Sequence, residues 1–261
     1  MPTPIAAYDI YEQGEFFQSL SRLVAHNLFV STWLFKIDDE VNGRGHASLN
    51  IEGVKSVVEL RKKKVEVTEA VIDKICEVLR KVVPKKAKLA QPDLYRDWDE
   101  YIRQFCKVGG VIEATPMCSP ASLASPSISF FVEPDGNIEL IGSFDKFAAK
   151  EYVNAGCFFP QTSLPQMNLM TISRAIGNVL YEKGVIGHVT VDLVSFPDPA
   201  AGELTSPGAT PPHPLFWATD INLGLSDYAT VCLFFDILME GKLDPQTGDY
   251  SVEVMRDPDD V

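Results

Sequence analysis

Short β-branched and aromatic runs alternate along this chain with segments of helical period, and the alternation breaks once, at a Ser/Pro-rich stretch over residues 115–127. That order predicts an α+β fold in two lobes, residues 1–112 and 113–261, with the boundary near 108–116. In the first half, Phe16, Phe17, Leu20, Leu23 and Val24 have helical spacing. Leu28 to Ile37 reads as a strand, broken by Asn42-Gly-Arg-Gly-His. Thr68 can cap a helix that buries Val71, Ile72, Ile75, Leu79 and Val82 and stops at Pro84. A shorter helix carries Trp98, Tyr101, Ile102 and Phe105, and Gly109-Gly110 leads into the strand Val111-Ile112.

In the second half, Ile128–Val132 and Ile138–Ile141 flank Glu-Pro-Asp-Gly-Asn, a hairpin signal. Leu169, Ile172, Ile176, Val179 and Leu180 line a helix that ends at Gly184. A strand at 185–194, a Pro/Gly-rich loop at 196–214 and a strand at 215–221 follow. A last helix after Ser226 is expected to bury Tyr228, Val231, Leu233 and Phe235, and residues 244–254 read as a terminal hairpin.

At 261 residues and 46% hydrophobic content, the chain can bury a core without disulfides or metals. No run approaches the roughly 18–20 apolar residues of a membrane span. The first residues have neither a basic start nor an apolar stretch, so no secretory signal is read. The five Cys are scattered, with no CxxC or Cys/His cluster, as reduced thiols in the cytoplasm would be. A net charge of −13 opposes general nucleic-acid binding. Residues 55–107 nevertheless hold 14 of the 23 basic and 9 of the 36 acidic side chains, a local balance of +5. Lys62, Lys63, Lys64, Lys85, Lys86 and Lys88 either favour an anion there or only solvate a helical surface.

Four features carry chemistry. Lys36 sits inside the apolar run Trp33-Leu-Phe-Lys-Ile, where an ammonium needs an anion or a route to water. Gly43-Arg44-Gly45 through Ser48 can turn backbone N–H groups and a guanidinium toward an anion, although a hairpin turn has the same composition. Asp192 lies within an apolar strand, and Asp220 and Asn222, two residues apart, share a face of another. Neighbouring buried carboxylates repel unless a cation bridges them, and oxygen-only ligands suit Mg²⁺ completed by phosphate oxygens. His26, His188 and His213 read as structural; Ser163 lacks a nucleophile elbow; Arg174 reads as solvated.

Taken in order, the strand lysine Lys36, the loop Gly43–Ser48, the strand ending in Glu113, Asp192 and the Asp220/Asn222 pair resemble an ATP-grasp fold. The strings Trp-Leu-Phe-Lys-Ile-Asp-Asp-Glu, Gly-Arg-Gly-His-Ala, Gly-Gly-Val-Ile-Glu-Ala and Trp-Ala-Thr-Asp-Ile-Asn are similar to the ATP-grasp-like region of the IQ motif-containing protein H family. The resemblance implies a nucleotide cleft between two α+β lobes. ATP phosphates would meet Lys36, Gly43, Arg44, Gly45 and Ser48, with Lys36 and Arg44 acting on the transferring phosphoryl group. Glu113 would sit at the hinge near adenine, Asp192, Asp220 and Asn222 would hold Mg²⁺, and the basic 55–107 region would act as a lid.

It further implies an ATP-dependent carboxylate–amine ligase working through an acyl phosphate, in a eukaryotic cytoplasmic protein of a flagellated lineage. The partners are then ATP and unidentified carboxylate and amine substrates, with no nucleic acid and no membrane. A kinase-like reading shares the ATP site but has no HRD or DFG string. Two departures keep a second reading open, a catalytically inactive scaffold or regulatory protein: Asp220 stands where the pattern has Glu, and no substrate-binding domain is read before the core; Leu223-Gly224-Leu225 after Asn222 is a further departure from the motif. The resemblance leaves no counterpart for a preceding substrate-binding domain or an IQ-type motif, as expected of a fragment or a reduced relative.

Overall fold

Alternate residues of the strand Thr32–Ile37 divide cleanly: Trp33, Phe35 and Ile37 are buried in a core, while Leu34 and Lys36 face the other way. The computed structural model describes residues 1–40, 42–63, 66–150, 152–198, 214–244 and 247–252. Lys64, His213, most of the 196–214 loop and the end of the terminal hairpin lie outside the described residues. The chain forms two compact units, each described by itself.

The first unit comprises Pro4–Met117 with Ala148–Ala155. Its elements are β1 (Ala6–Ala7), α1 (Gln13–His26), β2 (Thr32–Ile37), β3 (His46–Asn50), α2 (Lys55–Lys63), α3 (Glu69–Lys86), β4 (Lys88–Leu89), α4 (Trp98–Val108) and β5 (Gly110–Ala114). The strands form an antiparallel sheet in the order β1-β5-β2-β3-β4. One face packs Phe35, Leu49 and Ile112 against Phe16 and Leu20 of α1, Ile75 and Leu79 of α3, and Phe105 of α4. Each such side chain contributes about 1.5–3 kcal/mol by leaving water. The α4 start is fixed by Asp97, whose carboxylate accepts from Glu100 N at 2.8 Å.

The second unit comprises Met1–Thr3, Cys118–Phe147 and Gly156–Val261. The elements there are β6 (Ser125–Val132), β7 (Ile138–Lys150) up to Phe147, β8 (Val153–Phe158) from Gly156, α5 (Gln166–Glu182), β9 (Gly187–Phe196), β10 (Leu215–Leu223), α6 (Asp227–Met239), β11 (Lys242–Leu243) and β12 (Tyr250–Ser251). The main sheet runs β10-β9-β6-β7-β8. Ile128, Phe130, Val189, Val191, Leu193 and Ala218 pack with Leu169 and Ile172 of α5. Strand alternation therefore turns Ser127, Ser129, Thr190 and Asp192 to the opposite face.

Three expectations need correction. The first strand begins at Thr32, not Leu28. Pro84 lies inside α3, which runs to Lys86: a proline in the last turn removes one hydrogen bond, and Ala87 N closes on Val83 O at 2.9 Å. In α6 only Ala229 and Cys232 are buried, while Val231 and Phe235 are 66% and 38% exposed. That helix is apolar on every side, so its composition does not mark which side packs. The short α2, β4 and β8 had no expected counterpart.

Candidate functional site

In the first unit, Lys36 lies between register partners His46 on β3 and Val111 on β5, and Glu113 stands opposite Leu34. Lys36 and Glu113 thus meet diagonally on the non-core face, with Lys36 Nζ 2.7 Å from Glu113 Oε1. Their side chains are only 16% and 8% exposed, so each supplies the charge that the other's burial demands. Ser48, opposite Leu34 on β3, shares this face and is buried.

The Gly43–Gly45 segment closes the β2–β3 hairpin. Gly43 has φ +78°, and His46 N donates to Gly43 O at 3.2 Å. A Cβ on Gly43 would fall 1.9 Å from Tyr152 O, and His46 Nδ1 donates to that same carbonyl at 3.0 Å. The glycine at 43 is therefore required by a close backbone approach as well as by its dihedral. Gly45 O accepts from Ile37 N and from Tyr101 Oη, and a Cβ there would meet Glu40 and Ile37 below 3.0 Å. Arg44 points outward, half-exposed, with Nε 3.7 Å from Glu40 Oε2. Glu40 also accepts from Tyr95 Oη at 3.1 Å; burial, then the Glu40 charge, pushes that phenol up to about 12.

In the second unit, Asp220 and Asp192 are register partners across β10 and β9, and Asn222 pairs with Thr190. All four side chains lie on the face away from the α5 core. A bulge between Ala218 and Asp220 makes this possible. Ala218, opposite Leu193, packs in the core. In an unbroken ladder Asp220, two residues after Ala218, would share its core side; the bulge shifts it to the other face. Thr219 Oγ1 donates to Asp192 O at 3.2 Å and fastens the bulge.

Asp192 is held at both oxygens. Ser127 Oγ donates to Oδ1 at 2.6 Å, and Lys146 Nζ lies 2.7 Å from Oδ2. Lys146 is opposite Ser125 on β7, so its side chain reaches across β6 to β9. Ser129 and Thr190 share a hydrogen bond at 2.7 Å, and Thr190 Oγ1 donates to Ser226 Oγ at 3.0 Å. Ser226 also caps α6 by accepting from Ala229 N. Burial raises the Tyr228 phenol, and the Cys157, Asp192 and Asp227 charges push it the same way.

The structure therefore brings Lys36, Ser48 and Glu113 to one sheet face, with the Gly43–Gly45 turn at the end of that hairpin, and Asp192, Asp220 and Asn222 to one face of the other sheet. Two carboxylates and an amide oxygen are the kind of donor set that hard cations take. Among the described residues no three His, Cys, Asp or Glu side chains gather as a cation cage. Ligands from outside the chain would have to complete the shell. Sequence reasoning missed Lys146 and Ser127. The signal was a lysine flanked at two residues by Phe144 and next to Phe147, and serines at 127 and 129 alternating with Ile128 and Phe130. His26 Nδ1 donates to Arg22 O, His188 packs edge-on against Phe131, and Arg174 is exposed.

Comparison with known proteins gives a consistent picture. A family model described as "IQCH-like, ATP-grasp" matches residues 1–246. The chain is 28% identical over 260 residues to IQ motif-containing protein H of Danio rerio, covering 95% of this chain and 23% of that protein. It thus spans about a quarter of that relative's length. The biotin carboxylase domain of Hydrogenobacter thermophilus 2-oxoglutarate carboxylase, in complex with MgADP, ADP and bicarbonate, superimposes with TM-score 0.53 at 11% identity. That match covers 90% of this chain and 39% of the other. Rhizobium etli pyruvate carboxylase, with the allosteric activator acetyl coenzyme-A, gives TM-score 0.50 at 12% identity, covering 92% of this chain and 16% of the other. At these identities the structural likeness establishes the fold alone.

Proposed function

The chain belongs to the IQCH-like ATP-grasp family, and on that premise we propose that it binds Mg-ATP and activates a carboxylate for attack by an amine. The single observation that carries the reading is the placement of Asp192, Asp220 and Asn222 on one sheet face, with the two aspartates directly opposed. These three oxygens would hold Mg²⁺, with Asp192 sharing its charge with Lys146. Lys36, Arg44 and the N–H groups of the Gly43–Ser48 segment would receive phosphate oxygens, Lys36 dividing its charge between them and Glu113. Glu113 would orient Lys36 and meet the base. Bound Mg-ATP supplies the phosphoryl group and the charge neutralisation that its transfer needs. The chain's own residues position and shield that charge.

Thermal unfolding with and without Mg-ATP tests this. A ligand at about 100 times its Kd stabilises by roughly 2.7 kcal/mol. Asp192→Asn should remove most of that gain. No shift with Mg-ATP in the millimolar range overturns the binding claim, and binding without ADP release in the presence of any carboxylate and amine pair overturns the ligase claim. A second reading, a scaffold that retains the fold for protein contacts, is favoured by α6, where Phe234, Ile237 and Leu238 are all exposed.

A further inference from the structure

Asp192 has an internal cation. The Lys146 side chain is 6% exposed and its ammonium lies 2.7 Å from Asp192 Oδ2, while the carboxylate is 20% exposed. The geometry is specific. Lys146 starts two strands away from Asp192 and crosses β6 at the small residues Ser125 and Ser127. Ser127 Oγ takes the other carboxylate oxygen. A buried ammonium deprived of its partner is costly, so this pair resists separation. Asp220, opposite Asp192, places a second carboxylate beside the first.

We propose that Lys146 is a resident counter-cation that keeps a divalent metal off Asp192 until a polyphosphate arrives. The inference rests on the Mg-ATP reading above for the identity of the metal's companion ligand. A divalent ion alone must either share Asp192 with the ammonium, whose charge repels it, or displace the ammonium and leave it buried away from its carboxylate. A metal that arrives with a polyphosphate brings anionic oxygens that give the ammonium a new acceptor. The metal and the nucleotide therefore bind together, and the acidic face stays metal-free between turnovers. Nothing in the Asp192/Asp220/Asn222 set enforces this by itself; the lysine does.

The test is Mn²⁺ alone, titrated into the full chain without nucleotide and read as free Mn²⁺ by electron paramagnetic resonance. Lys146→Met should bind Mn²⁺ about tenfold or more tighter than the parent chain, which a lost competing unit charge within 3 Å readily supplies. Lys146→Arg keeps a cation and should stay within about twofold of the parent. Asp192→Asn added to Lys146→Met should abolish the gain. Circular dichroism checks each fold, and Lys146→Gln replaces the methionine variant if that fails to fold. Equal Mn²⁺ affinity in the parent and in Lys146→Met, a gain that survives Asp192→Asn, or the same gain in Lys146→Arg overturns the proposal. A parent chain that ignores Mg-ATP while Lys146→Met gains Mn²⁺ overturns the nucleotide reading and supports the lysine's role. Nucleotide binding by a Lys146→Met chain with no Mn²⁺ gain does the reverse.

Discussion

Asp192 and Asp220 face each other as a register pair across β9 and β10, two carboxylates on one side of a sheet whose other side is a hydrocarbon core. Opposed like charges destabilise a strand pair, and Lys146 offsets part of that from the Asp192 side. Asp220→Asn should therefore raise the denaturation midpoint slightly in metal-free buffer and weaken Mg²⁺-dependent nucleotide binding. Stability and binding moving in opposite directions would mark the pair as held for function. Both falling together would make it structural.

Lys36 and Glu113 depend on each other. Lys36→Met alone should cost about 2–4 kcal/mol in denaturant unfolding, since it removes the ammonium 2.7 Å from a nearly buried carboxylate. Lys36→Met with Glu113→Leu should recover most of that loss. A double variant as unstable as the sum of its singles would show that the two residues are not coupled.

Gly43 and Gly53 separate two kinds of glycine. Gly43→Ala brings both a left-handed dihedral and a Cβ onto Tyr152 O, so it should lose more than about 1 kcal/mol. Gly53→Ala meets nothing within 4 Å and should be close to neutral. The comparison is one pair of urea melts. Equal losses would contradict the tight approach at Gly43.

High pH should unfold the protein through its phenols. Tyr95 is raised from 10.0 to about 12, and Tyr101, held by burial, well above its ordinary value. A raised acid binds its proton more tightly in the fold, so stability is full below pH 10 and falls as pH climbs toward 12. Tyr95→Phe should flatten part of that limb. Cys232, pushed by burial to about 12, should resist thiol reagents at pH 8 in the native state. An alkaline limb unchanged by Tyr95→Phe would remove the assigned cause.

Periodicity located most elements because the cores use it strictly. Trp33, Phe35 and Ile37 alternate with Leu34 and Lys36, and Asn222 follows Asp220 by one full strand repeat. What the sequence did not announce was non-local. The bulge at Thr219 decides which face Asp220 takes, and it depends on pairing with β9. Lys146 reaches Asp192 from 46 residues away, a distance no motif spans. The Gly43 turn reads as a phosphate loop from its composition, yet its first glycine also answers to Tyr152 O, over a hundred residues on. In α6, uniform apolarity erased the periodic signal, so its exposed side was not visible in advance.

Mg-ATP binding is decided by direct equilibrium binding of ATP to the full chain, with excess Mg²⁺ and again with EDTA. One saturable site is expected, with a Kd between about 1 μM and 1 mM, the range in which enzymes commonly meet their substrates, lost in EDTA and in Asp192→Asn. No saturable binding in that range, or binding indifferent to both Mg²⁺ and Asp192, would contradict it.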